Sequence, residues 1–397
     1  MLKTKEILGN DISSINDRNL KKVKERVKNN EVSWILGAGV SKDVGVPLWG
    51  ECLQRMWARM LFIDRNFEED LAKGMEFRKT LREMFKSNEL PEIFLEKADH
   101  VILGKKSCDI FGKTDPLEAA EYIQNLVKEA ICIGGKREKD WETAFLCLVK
   151  ECLKLSKTPD DVFQEMSNRT LKILANHIKN QVNCEQSVSV ITYNFDNLLE
   201  FALERVGLKK ENCYIKNPGI SSVLEDHKGV HIYHPHGTVS VIEDSISEES
   251  DRLVLAQSNY ERLGQKAYVW ENSVQAKALH DSSCVFLGFS GDDANFRRII
   301  KNSETIEDGV GAEHFLFISI ESAVKNLFSE TVDPELPDDE YNKALSSALA
   351  NDENCFERMM FVKRIYAQYL YWGKYNIIPI WTTRNELPDM IKKICGM

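Results

Sequence analysis

Short apolar runs rich in β-branched residues recur along this chain, and four of them stop at a glycine-rich or polar turn. Val32-Ser33-Trp34-Ile35-Leu36 runs into Gly37-Ala38-Gly39, and Val188-Ser189-Val190-Ile191-Thr192 into Tyr193-Asn194-Phe195-Asp196. Residues 230–234 lead to Pro235-His236-Gly237, and Cys284-Val285-Phe286-Leu287 leads to Gly288-Phe289-Ser290. Two further runs, residues 314–318 and 375–381, complete the set. Helical spacing fills the intervals: residues 15–30 with Leu20, Val23 and Val27 on one face, residues 197–203, residues 295–300, and a short final helix within 385–397. Strands that alternate with helices predict an α/β fold with a doubly wound parallel sheet. Ligands bind such sheets outside the carboxyl ends of the strands, so the four turns are candidates for one shared crevice.

The alternation is interrupted once. From Trp49 to about Gln181 the chain carries helical periodicity and charge with few strand signals, as in Cys52-Leu53-Met56-Trp57-Met60 and Leu117-Ala120-Ile123-Val127. That stretch is too long for a single crossover and predicts an inserted helical subdomain. The expected division is residues 1–50 for the first helix, strand and turn, 51–185 for the insertion, and 186–397 for the rest of the sheet and the last helix. Residues 243–251 and 333–339 are acidic and read as solvated loops.

Composition narrows the function classes. The 397 residues carry 52 Lys and Arg against 62 Asp and Glu, a formal charge of −10. Such a balance disfavours broad binding to nucleic acid or anionic membrane. The ten cysteines lie far apart with no C-x-x-C pair, which reads as free buried thiols rather than a disulfide framework. No secretory signal and no membrane-length apolar run is present, and a cytoplasmic location is expected.

Each turn has two readings. Gly37-Ala38-Gly39, with Ser41 behind it, lets backbone amides approach a pyrophosphate, or is only a tight connection. Lys42 stands where a dehydrogenase fingerprint has its third glycine, and no P-loop pattern exists. Thr192, Asn194 and Asp196 can hold ribose hydroxyls or a water, or can cap the helix that follows. His231, His234 and His236 invite a metal reading, but strand alternation puts 234 and 236 on one face with 231 opposite, and no carboxylate or thiol at metal spacing joins them. A general base or an orienting imidazole is a better reading of this run than a metal site, with a structural histidine as the alternative. Gly288-Phe289-Ser290-Gly291-Asp292-Asp293-Ala294-Asn295 reads as ligand-binding or as another strand-to-helix turn with an Asp cap.

In order and spacing the four motifs together resemble the sirtuin (Sir2-like) family: G-A-G-x-S with a downstream Gly45-Val46-Pro47, then T-x-N-x-D, then H-G, then G-x-S-x-x-D-x-N. The likeness runs from about Val32 to Asn295, and Ile377-Ile378-Pro379-Ile380-Trp381 resembles the family's last strand. The later motifs resemble the bacterial anti-phage defence branch more than the protein deacylases. The resemblance implies a Rossmann-like NAD-binding domain in which Gly37, Ala38, Gly39 and Ser41 cradle the pyrophosphate. It places Thr192, Asn194 and Asp196 at the nicotinamide–ribose pocket, His236 as the catalytic histidine, and Gly288, Ser290, Asp293 and Asn295 towards the adenosine half. Two departures set the chain apart from deacylases: no four-cysteine zinc ribbon follows the H-G motif, and Leu48-Trp49-Gly50 replaces the deacylases' Asp-Phe-Arg.

The expected activity is therefore NAD+ hydrolysis to nicotinamide and ADP-ribose, with NAD as substrate, no metal, and Asn194 and His236 as the catalytic pair. An NAD-dependent protein deacylase and a non-catalytic NAD-sensing subunit are the alternatives. Resemblance to defence-type members, which deplete NAD on infection, further implies an antiviral role, a homo-oligomer, and a partner such as a HerA-type ATPase or a short Argonaute module. Direct contact with nucleic acid or membrane is not expected.

Overall fold

A computed structural model describes residues 4–63, 115–132, 139–218, 228–242, 250, 252–266, 269–303, 312–321, 340, 343–345, 347–348 and 355–397. The acidic loops expected at 243–251 and 333–339 lie outside these residues, apart from Ser250.

Seven strands form one sheet: β1 (Val32–Leu36), β2 (Val188–Thr192), β3 (Cys213–Lys216), β4 (Val230–Tyr233), β5 (Ser283–Leu287), β6 (His314–Ser319) and β7 (Ile377–Thr382). Their order is β3-β4-β2-β1-β5-β6-β7, and every pairing is parallel. With the edge strand β3 set aside, this is the Rossmann order 3-2-1-4-5-6, whose direction reverses between β1 and β5. All five residues of β1 and of β5 are buried, as expected for central parallel strands covered on both faces.

Helices cover the two faces. In chain order the main ones are α1 (Thr4–Lys28), α2 (Gly39–Lys42), α3 (Trp49–Ile63), α4 (Pro116–Cys132), α5 (Lys139–Leu153), α6 (Pro159–Glu165), α7 (Thr170–Asn183), α8 (Leu198–Arg205), α9 (Gln257–Gln265), α10 (Trp270–Asp281), α11 (Ala294–Ser303), α12 (Cys355–Gly373) and α13 (Leu387–Cys395). Between β1 and β2, helices α3, α4 and α5 pack on one another, whereas α7 packs on β2, α8 and α13 beside the sheet. Trp34, Leu36, Val190, Ile232, Phe201 and Ile178 share the larger core on one face. Ile35, Ile191, Phe286, Phe289, Phe296 and Trp372 fill the other.

The two sheet edges are managed differently. Asn16 of α1 closes the β7 edge, donating from Nδ2 to Trp381 O at 2.6 Å while its Oδ1 accepts from Trp381 N at 3.2 Å. Both polar groups of an edge residue are thereby satisfied by one side chain. At the other edge all four residues of β3 are half-buried, and Tyr214 stacks on His231 of β4. Among the described residues no helix is long and apolar enough to cross a membrane.

Candidate functional site

The reversal point between β1 and β5 brings two turns into backbone contact. Gly37 N donates to Leu287 O at 3.0 Å, and Gly39 N donates to Gly288 O at 2.9 Å. A Cβ on Gly37 would lie 2.6 Å from Gly288 O, and one on Gly39 2.7 Å from Gly288 Cα. Side chains at either position would force the turns apart. The Gly37 and Gly39 amides, which the resemblance would turn to a pyrophosphate, instead donate to strand-end carbonyls and join β1 to β5. Gly39 and Ser290 remain exposed at the rim, with Ala38 half-buried between them. Gly45, at φ +99°, and buried Pro47 lie in the connection from α2 to α3, where Gly45 faces Leu155.

Beneath that rim lies a polar cluster. Ser41 is 1% exposed, and its Oγ accepts from Asn194 Nδ2 at 2.9 Å. The same hydroxyl bonds the Asp196 carboxylate, whose Oδ1 also accepts from Leu198 N at 3.1 Å. Thr192 Oγ1 accepts from Asn194 N at 3.2 Å. The two carboxamide and carboxylate side chains of this motif are engaged differently. Asp196 serves the first turn of α8, while Asn194 turns away from the helix and leaves its buried Oδ1 without a partner. Asn197 holds the N-cap position, and its Oδ1 accepts from Val241 N at 2.9 Å, which ties α8 to the chain beyond His236.

Burial pushes the Asp196 carboxyl up to about 6, with Glu200 adding to the rise and Ser41, Leu198 and His234 opposing it. Glu200 and His234 are both wholly buried and share a hydrogen bond through His234 Nε2. His236, two residues later, stands in other company. Its ring lies 5.0 Å from that of Tyr193, 5.3 Å from Tyr260 and 6.4 Å from Phe195, and the residue is 3% exposed. His236 Nε2 is 3.4 Å from Asp293 Oδ2 but makes no hydrogen bond. Burial lowers the His236 pKa and the Asp293 charge partly restores it, so the ring is neutral at pH 7.

The expectation that 234 and 236 share a face fails because β4 ends at Tyr233 and the chain turns through Pro235. Strand alternation no longer governs where His236 points. Among the described residues no group of three or more His, Cys, Asp or Glu is placed to hold a metal ion.

Asp293 links the fourth turn to this histidine. Its Oδ1 accepts from Phe296 N at 2.7 Å, capping α11, and its Oδ2 accepts from the Tyr260 hydroxyl at 2.9 Å. Ser290 Oγ accepts from Asp292 N at 3.2 Å within the turn. Asn295 is engaged elsewhere: its Nδ2 donates to Asn272 Oδ1 at 3.0 Å and its Oδ1 accepts from Arg298 Nη2 at 2.8 Å.

The β1, β2 and β5 turns thus meet at the carboxyl ends of their strands, and the β4 turn brings His236 to within 3.4 Å of Asp293 beside them. Asn194 bonds Ser41, while Tyr193 and Phe195 on either side of it pack on the histidine ring. Sequence reasoning missed Glu200, Tyr193 and Tyr260. The one local signal for Glu200 was a carboxylate set inside Leu198-Leu199-Glu200-Phe201-Ala202, where a charge needs a buried partner.

No curated protein matches the chain. Residues 188–334, which contain the β2, β4 and β5 turns but not the first glycine turn, match the SIR2-like domain family and support a Sir2-like relationship.

Proposed function

We propose that this chain is an NAD+ glycohydrolase. The observation that carries the reading is a pair of buried groups at the carboxyl ends of β2 and β4, Asn194 Oδ1 and the neutral His236 ring, each with a polar atom lacking a protein partner. Buried polar atoms in native proteins nearly always have partners, so both are free to take a ligand group or a water. The SIR2-like match ties the chain to NAD-related activity in general. The glycine turns at the reversal point are where a doubly wound sheet receives a dinucleotide.

The chemistry follows from the substrate. The bond from nicotinamide to ribose C1′ breaks with its electron pair going to the pyridinium nitrogen, so nicotinamide departs neutral and needs no general acid. Positive charge develops on the ribose in an oxocarbenium-like transition state, which oriented dipoles stabilise. Asn194, fixed through Ser41, positions the ribose or the attacking water. That water's oxygen bonds C1′ and its proton passes to His236, giving ADP-ribose. Carried out in a cell, the reaction drains NAD+. The motif resemblance to anti-phage proteins makes defence its setting, under control of a partner or of assembly.

The test is nicotinamide release from NAD+ by purified protein with no acylated peptide present. Equimolar nicotinamide and ADP-ribose are expected. Release that appears only with an acylated peptide would assign a deacylase instead. NAD+ binding in calorimetry with no cleavage would assign a sensing subunit.

A further inference from the structure

The motif resemblance turns Asp293 towards the adenosine half, but in the structure its Oδ2 also lies 3.4 Å from His236 Nε2. The two side chains are 9% and 4% exposed, and yet no hydrogen bond joins them at Nε2. The bonds of the carboxylate run elsewhere. Oδ1 accepts from Phe296 N at 2.7 Å, which holds the group at the start of α11, and Oδ2 accepts from the Tyr260 hydroxyl at 2.9 Å. Tyr260 stands on α9, and its ring meets the His236 ring edge-on at 5.3 Å.

We propose that Tyr260 is a positioning residue: by donating to Asp293 Oδ2 it keeps the carboxylate off His236 and leaves Nε2 open. A buried carboxylate oxygen needs a donor. Two are near this one, the phenol of Tyr260 and the His236 ring whenever its proton sits on Nε2, and the phenol holds the shorter contact. His234 shows the other outcome, for its Nε2 is bonded to Glu200 Oε1. A bond from His236 Nε2 to Asp293 would fix the ring's proton on that nitrogen and stabilise the imidazolium. With Nε2 open, the neutral ring can accept a proton there. That the proton comes from the attacking water rests on the NAD+ reading; the competition for Asp293 does not.

Among the described residues the titratable groups in contact with His236 are Tyr193 beyond β2, Tyr260 on α9 and Asp293 before α11. Burial, and then the Asp293 charge, raise both phenols well above their ordinary range, so each stays protonated. Of the three, Asp293 supplies the charge. Removing the Tyr260 hydroxyl turns that charge fully on Nε2, and His236 then keeps its proton to higher pH.

The experiment is an NMR titration of His236 on the full chain with labelled histidine, its signal among the eight histidines assigned by its loss in H236A. Y260F keeps the ring and removes only the hydroxyl. The His236 midpoint in Y260F is expected to rise by about one pH unit, tenfold in proton affinity. The acid limb of nicotinamide release should move up with it, the rate recovering at high pH. In D293N there is no carboxylate to act through, so adding Y260F should leave the midpoint where D293N alone puts it. Fluorotyrosine installed at position 260, a stronger donor of nearly the same shape, should move the midpoint down, and this variant carries the test if Y260F does not fold. An unmoved midpoint with activity lost equally at every pH would make Tyr260 a packing residue and overturn the proposal. A shift that persists in the D293N background would overturn it as well. The midpoint is read without NAD+, so an absence of nicotinamide release bears on the proposed function alone.

Discussion

Two histidines stand two residues apart at the end of β4, and each meets a carboxylate. His234 bonds Glu200 with both side chains at 0% exposure. His236 faces Asp293 at 3.4 Å without a hydrogen bond, inside an aromatic cage. In the first pair the two side chains share a hydrogen bond that joins α8 to the residue just past β4, although His234 Nδ1 and Glu200 Oε2 are without a partner. In the second pair the carboxylate is committed to Tyr260 and the N-terminus of α11, so the ring is oriented but retains capacity for hydrogen bonding. The two histidines thus differ in whether the carboxylate they meet is bonded to them, His234 to Glu200, or committed elsewhere, as Asp293 is.

Several substitutions would break or sharpen this contrast. A large loss of turnover is expected from Asn194→Ala, which removes the group that Ser41 orients. Nicotinamide release should fall by about 10²–10³-fold, the size typical of losing one preorganised polar group at a developing charge, with the thermal midpoint nearly unchanged. Glu200→Ala acts on the hydrogen-bonded pair. Leaving the buried His234 without its partner costs about 1–3 kcal/mol, read as a lower urea midpoint, and Glu200→Gln should recover part of it by keeping a hydrogen bond to His234.

Asp196→Asn is a smaller effect with a defined sign. The folded carboxyl titrates at about 6, above its unfolded value, so the folded state binds the proton more tightly and loses stability as pH rises from about 4 to 6. Above pH 6 the charged group costs the fold about 3 kcal/mol at 1.36 kcal/mol per pH unit. The asparagine variant should therefore be more stable than wild type at pH 8, by up to that amount, and the difference should vanish near pH 4. Urea midpoints at the two pH values check it. Asp293→Asn should give the smallest change. It keeps the α11 cap but removes the charge that supports the His236 cation, so the acid limb of the pH–rate profile should move to lower pH.

The strands at the centre of the sheet were legible because parallel strands buried on both faces read as mainly apolar runs, as in Val32–Leu36 and Ser283–Leu287, each with a single serine. Edge strand β3 was not, since Cys213-Tyr214-Ile215-Lys216 is half-buried at every position and carries no such pattern. The first helix begins at Thr4 rather than near Ile15: Leu20, Val23 and Val27 face the main core, whereas Ile12 in its first half packs on a separate cluster that includes Trp381. At the site, local patterns marked the four turns but not their bonding. That Asn194 reaches Ser41, 153 positions away, and that Glu200 reaches His234 are consequences of strand order, which no short window contains. The same limit hid the divergence of His234 and His236, because alternation was extended past the last residue of β4.

The most direct measurement sets H236A beside H234A, recording nicotinamide release per folded chain and the thermal midpoint for each. If His236 performs chemistry and the bonded His234–Glu200 pair holds the fold, His236→Ala abolishes turnover with little change in midpoint. His234→Ala then lowers the midpoint by many degrees, while its folded fraction still releases nicotinamide. Full turnover in His236→Ala, or equal loss of stability in both variants, would contradict the division of labour between them.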